Sequence, residues 1–215
     1  MDKCQIYIVR HGESIGNLNF TFLGHADLDL SEKGYLQANK TADYLKNVNF
    51  DAIYSSDLLR AYNTALPNAE RRGMRVIARV GLREIFVGEW ENMSCDAIEE
   101  KYGDLYRIGW LQKYGTFSFP GGESTIEAGK RFYNELVSIS EDNIGKTILI
   151  VAHGAVIRSF WALISKVPAS EISLKLPFAT NASVSVVDFD GESFIPVSYS
   201  YDSHLSDVGI TELRF

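Results

Sequence analysis

The chain has 215 residues, 46% of them hydrophobic and 23% charged, with 21 basic against 28 acidic side chains and a formal net charge of -7. That apolar content excludes an extended disordered chain, and the length suits one domain carrying an insertion better than two cramped ones. The negative balance opposes nucleic acid and anionic lipid as partners, so an anionic substrate has to be caught by a local pocket. Cys4 and Cys95 are the only cysteines; without C-x-x-C spacing they exclude a disulfide framework or a cysteine-type structural metal and point to a reducing compartment. Met1 to Lys3 lead straight into an apolar run. No stretch approaches the roughly 18 apolar residues that a membrane span requires, so a cytoplasmic protein with no membrane contact is expected.

In chain order, Gln5 to Val9 reads as a buried strand that stops at Arg10, His11 and Gly12. Ser31 caps a helical pattern in which Tyr35, Ala38, Ala42 and Leu45 recur every three or four residues. Phe50 to Tyr54 is the next strand, and Ser55, Ser56 and Asp57 are N-cap candidates for a helix through Ala61, Ala65 and Leu66, which Pro67 is expected to kink or end. Arg75 to Ala78 forms a short strand. The stretch at about 85–122 reads as an insertion with weak helical patches and the cluster Trp90, Trp110, Tyr114, Phe117 and Phe119, a small satellite core placed where it can act as a lid. Ser124 and Glu127 then form a capping box before a helix with Ala128, Phe132, Leu136 and Ile139 on its apolar face.

Thr147 to Val151 is too apolar for an exposed edge strand and ends at Ala152, His153 and Gly154 before another helix. Ala182 to Phe189 and Phe194 to Tyr199 form a terminal hairpin about Asp190 and Gly191, and the tail from Tyr201 to Phe215 shows no clear period. Strands alternating with helices predict an α/β fold of three layers, a mainly parallel sheet covered by helices on both faces. Ligands of such sheets bind beyond the carboxyl ends of the strands. Two of those ends carry His11 and His153, each followed by a glycine that permits close approach to a ligand and each with an arginine nearby, Arg10 and Arg158. Arg60, in the first turn after another strand end, and the carboxylate of Glu84 complete the candidate constellation. Imidazoles, guanidiniums and helix N-termini at one edge suit a phosphoryl group. A neutral imidazole can attack phosphorus and form a phosphohistidine.

These residues resemble the histidine phosphatase superfamily, also called the phosphoglycerate mutase-like family. The signature Arg10, His11, Gly12, Glu13 is followed by Ser14 and Asn17; Ser55 to Leu58, Arg60, Ala61, Thr64 and Ala65 match a second element, and Leu82, Arg83, Glu84 a third. Gly88, Trp90 and Glu91 match the following loop, although Asn92 stands where the family usually has glycine. Gly121 to Ser124, and His153, Gly154, Ile157 and Arg158, complete five elements in order over most of the chain. The resemblance implies that His11 is the nucleophile, that Arg10, Arg60 and His153 hold the phosphoryl group with Asn17 and the Gly154 amide, and that Glu84 is the proton donor. It implies no metal and no cofactor. Arg158, one turn beyond His153, is expected to support ion pairing within the fold. Glu13, Asn181 and His204 are expected as structural groups near the rim, and His25 as a surface histidine.

Within that family, Arg83 to Trp90 is similar to the phosphatase branch, whereas glycolytic mutases carry a His-Tyr-Gly run after the glutamate and a longer insertion. The resulting expectation is a phosphomonoesterase for a small phosphorylated metabolite, with a phosphoglycerate mutase as the alternative. A binding module without activity would have lost the nucleophile or an arginine, and all are retained. A zinc enzyme would need a paired spacing such as His-x-x-x-His, which the sequence lacks.

Overall fold

A computed structural model describes residues 2–211; the last four residues of the aperiodic tail lie outside the described residues. In chain order the elements are β1 (Cys4–Arg10), α1 (Ile15–Leu18), β2 (Thr21–Phe22), α2 (Glu32–Tyr44), β3 (Ala52–Ser55), α3 (Leu59–Glu70) and β4 (Val76–Ala78). There follow β5 (Met93–Ser94), α4 (Cys95–Tyr102), α5 (Thr125–Glu141), β6 (Thr147–Ala152), α6 (Gly154–Ile164), α7 (Ile172–Lys175), β7 (Val184–Phe189) and β8 (Phe194–Tyr201). Six strands form one sheet in the order β4-β3-β6-β1-β7-β8. The first four are parallel, and β7 and β8 extend the sheet as the antiparallel hairpin that the sequence predicts.

Alternation along the central strands sends their side chains to two cores. Ile6 and Ile8 of β1 and Ile148 and Ile150 of β6 face Ala128, Phe132, Leu136 and Ile139 of α5, together with α6. Val9, Leu149, Val151 and Ile53 face the other way, against Leu45 after α2 and Ala61, Ala65 and Ala69 of α3. The sheet is therefore covered by helices on both faces. The expected caps form at two helices: Ser31 Oγ accepts from Gly34 N at 3.1 Å, and Ser124 and Glu127 exchange both bonds of a capping box.

At α3 the structure departs from the expected cap and excludes one of the two effects expected of Pro67, an early end. Ser55, Ser56 and Asp57 do not cap it; Asp27 Oδ1, from a distant loop, accepts from Leu59 N at 2.7 Å, while Asp57 is paired with Arg83. Pro67 lies inside the helix, which runs on to Glu70. The missing N–H costs one bond, but Ala65 and Ala69 on either side of Pro67 are both buried in the core, and that packing carries the helix through. Tyr35 leaves the predicted apolar stripe of α2 and bonds Asp29 Oδ2 through its hydroxyl at 2.8 Å. The aromatic cluster is not a satellite: Trp90, Trp110, Tyr114, Phe117 and Phe119 are buried in the same core as Ile6 and Phe132. The short β2-β5 ribbon ties this segment to the loop after β1.

Candidate active site

Parallel pairing sets the geometry of the sheet's carboxyl edge. Arg10 is in register with Ala152, so His11 and His153 leave adjacent strands side by side, with ring centroids 5.2 Å apart. Arg60 enters from the first turn of α3, Asn17 from α1, and Glu84 from the turn after β4. Arg10, His11, Asn17, Arg60, Glu84 and Gly154 all line one cleft. His153 is fully buried beside His11.

His11 Nδ1 lies 2.7 Å from the carbonyl oxygen of its neighbour Gly12 and donates to it, which leaves Nε2 with its lone pair directed away from the backbone. Burial, then the Arg60 and Arg10 cations, push the His11 imidazole well below the usual 6.5. Burial and Arg60, with His11 and Arg10 adding to them, do the same to His153. Both rings are thus neutral at neutral pH. Neither ring nitrogen of His153 has a hydrogen-bond partner among the described residues, and Nε of Arg10 is likewise buried and unpaired. Such orphaned groups at a strand edge call for a ligand that can satisfy them.

Arg10 and Arg60 are lowered to about 10 by burial, with Glu84 opposing that shift in both. They stay charged at neutral pH. Carbonyl oxygens fix them: Arg10 donates to Ala179 O at 2.6 Å, and Arg60 to Ala26 O and Gly24 O at 2.8 Å each. Asn17 Oδ1 accepts from Ser14 N, Ser14 Oγ and Asn181 Nδ2, so its amide N–H groups are what it can present to the cleft. The two glycines have separate uses. A Cβ on Gly154 would stand 3.0 Å from Cζ and Nε of Arg10, so this glycine makes room for the guanidinium. One on Gly12 would stand 2.5 Å from Gly34 O, so Gly12 serves the close packing of α2 rather than approach to a ligand.

Glu84 is the only acidic side chain lining the cleft among the described residues. Its Oε1 accepts from Ile85 N and Val156 N at 3.0 Å and its Oε2 from Ala155 N at 3.1 Å. The carboxylate therefore caps α6, whose own N-cap, His153, makes no side-chain cap bond. A clamp holds its backbone. Arg131 of α5 donates to the carbonyls of Gly81, Arg83 and Glu84 at 3.0 Å each and forms a two-pronged pair with Glu123, which accepts from Phe86 N at 2.9 Å. His25 Nε2 bonds the Glu84 carbonyl at 2.9 Å, so His25 belongs to the site's support and is not a free surface group. Arg131 and His25 were missed because their partners lie 47 and 59 residues away; the Gly121 to Ser124 turn was the one local signal of this clamp.

Contacts revise the expectation for Arg158 and fix where Glu13, His204 and Asn181 sit. Arg158 forms no ion pair among the described residues; its guanidinium is sandwiched 4.3 and 4.2 Å from the Tyr114 and Phe178 rings and donates to Leu176 O and Ile172 O. Glu13 accepts from Ser31 Oγ and Thr211 Oγ1, away from the cleft, as a structural carboxylate. His204 stacks on Tyr44 and bonds Thr41, whereas Asn181 is a buried clamp on the His11 and Gly12 carbonyls.

A model of the histidine phosphatase superfamily (branch 1) matches residues 6–202. The chain belongs to this superfamily. Among its relatives is phosphoserine phosphatase 1 of Hydrogenobacter thermophilus, 31% identical over 94% of this chain and 95% of the relative. Phosphoglycerate mutase-like protein 4 of Arabidopsis thaliana is 30% identical over 100% of this chain and 93% of the relative. The structure of mycobacterial glucosyl-3-phosphoglycerate phosphatase in complex with VO3 superposes with a TM-score of 0.81 at 28% identity, covering 92% of this chain and 99% of that one. Among the described residues of this histidine phosphatase, no group of three or more His, Cys, Asp or Glu is placed to hold a metal ion, and no helix is long and apolar enough to cross a membrane.

Proposed function

We propose that this histidine phosphatase is a phosphoric monoester hydrolase that turns over a small phosphorylated metabolite through a phosphohistidine on His11. The observation that carries the roles is the 2.7 Å contact of His11 Nδ1 with the Gly12 carbonyl: an oxygen that can only accept assigns the proton to Nδ1 and leaves Nε2 as a neutral nucleophile beside two guanidiniums. Nε2 attacks phosphorus as the bond from phosphorus to the ester oxygen breaks, and Glu84 gives its proton to that oxygen. The N–H groups of Ala155 and Val156 then hold the carboxylate so formed. Water attacks the phosphohistidine, Glu84 takes the proton back, and inorganic phosphate leaves with His11 neutral again. Arg10, Arg60, His153, Asn17 and the Gly154 amide bind the phosphoryl oxygens throughout.

The two guanidiniums and the α6 N-terminus balance the charge that metal ions balance elsewhere, so no metal or cofactor enters this scheme. The whole chain, 1–215, acts as one domain with 85–122 as its insertion, a reading supported by their shared core. Two buried cysteines that form no disulfide suit a reducing cytoplasm. The mutase alternative is kept alive by the mutase-like relative. Rapid quench during turnover in EDTA should trap acid-labile, alkali-stable phosphate on His11, and His11→Ala should abolish turnover while folding. Label on serine or aspartate, or activity that needs restored Mg²⁺ or Zn²⁺, would overturn the mechanism. Transfer between 2- and 3-phosphoglycerate that outpaces phosphate release, with 2,3-bisphosphoglycerate present, would select the mutase.

A further inference from the structure

The cleft is divided by chemistry. Its cations, Arg10 and Arg60, flank His11, and each is anchored by backbone carbonyls that keep it at the phosphoryl end. Beyond them and the polar Ser14, Asn17, Thr21 and Glu84, the wall is largely apolar, with Phe20, Phe22, Ile85, Trp110, Phe119 and Phe178 lining it. Three of these rings brace one another, Phe22 against Trp110 at 5.5 Å and Trp110 against Phe119 at 5.2 Å, so the wall is a packed surface and not a set of free side chains. No lysine and no third arginine lines the cleft among the described residues. Arg158 does not line it either: its guanidinium is held between the Tyr114 and Phe178 rings and bonded to two carbonyls.

An ester bound with its phosphorus at His11 therefore lays its alcohol portion along this apolar wall. A carboxylate there would lose its water and meet no cation, while an apolar body gains by leaving water. A flat ring gains further from edge and face contacts with the wall. Resting on the phosphatase reading above, we infer that the preferred substrates are phosphate monoesters of apolar, uncharged alcohols, aromatic ones above all, and that esters bearing a carboxylate are discriminated against.

The test compares kcat/KM for 3-phenylpropyl phosphate with that for O-phosphoserine and 3-phosphoglycerate, with p-nitrophenyl phosphate as a general reporter. At least a tenfold advantage for the phenylpropyl ester, carried mainly by KM, is expected. Thr21→Arg, which adds a cation to the half-buried Thr21 on the cleft wall, should shrink that ratio by about tenfold. Carboxylate esters handled as well as or better than the phenylpropyl ester, alongside a trapped phosphohistidine, would overturn this inference and leave the phosphatase standing; a ratio unmoved by Thr21→Arg would remove its charge basis. If p-nitrophenyl phosphate is untouched and no phosphohistidine forms, both readings fall together.

Discussion

Among the described residues His11 and His153 carry no carboxylate partner, and each is kept neutral by burial and by the same two guanidiniums that attract the substrate. One charge arrangement thus makes the nucleophile available and the anion welcome. Glu84 is the acid in this arrangement, and its role separates from a structural one by leaving group. Glu84→Gln should slow 3-phenylpropyl phosphate by about 10² to 10⁴ fold, the usual span of general acid catalysis. p-Nitrophenyl phosphate, whose leaving group needs little protonation, should lose far less. Equal losses in kcat/KM for the two esters would assign Glu84 to capping α6 alone.

At the level of elements, the turn after β4 is held less by its own sequence than by α5. Arg131 binds three carbonyls of that turn while pairing with Glu123, whose carboxylate takes the Phe86 N–H. Arg131→Ala frees the segment that carries Glu84, and a misplaced acid of about 1 Å can cost on the order of 10²-fold. The expected result is a loss that falls on kcat for 3-phenylpropyl phosphate more than on p-nitrophenyl phosphate, the signature of Glu84 itself. Arg131→Lys should not rescue it, since a point charge cannot replace the fork that reaches Glu123 and the carbonyls together. A loss equal for both esters would mean that the clamp only stabilises the fold.

For the whole molecule, burying two neutral histidines ties stability to pH. The unfolded imidazoles take up protons near 6.5, while the folded ones resist until well below it. The unfolded state then binds more protons in that window, so stability is full above about 6.5 and is lost as pH falls toward the folded values. Each histidine contributes a slope of up to about 1.4 kcal/mol per pH unit there. His204, lowered by burial, adds with the same sign. Urea unfolding at pH 7.5 and 5.5 should show this fall, and His153→Asn should flatten it by roughly one proton. Vanadate or phosphate at saturating concentration should raise stability at either pH, because they bind the folded site alone. A pH-independent midpoint between 5.5 and 7.5 would contradict the neutral burial of both rings.

Much of this molecule was legible in the chain itself because the signals were local. Apolar runs ending in Arg10-His11-Gly12 and Ala152-His153-Gly154 marked strand ends, and parallel pairing then had to bring both histidines to one edge. The capping box at Ser124 and Glu127 needs only three residues of chain and was readable as such. What the tertiary structure alone decided are contacts between segments far apart in sequence. Asp27 caps α3, Glu84 caps α6 across 71 residues, Arg158 finds rings in place of a carboxylate, and Gly12 is small for the sake of Gly34. Periodicity and spacing describe how a segment meets its own neighbours along the chain. They carry no information on which distant carbonyl, ring or helix end packing will set against a given side chain, and that choice made Glu84 reachable and the cleft wall apolar.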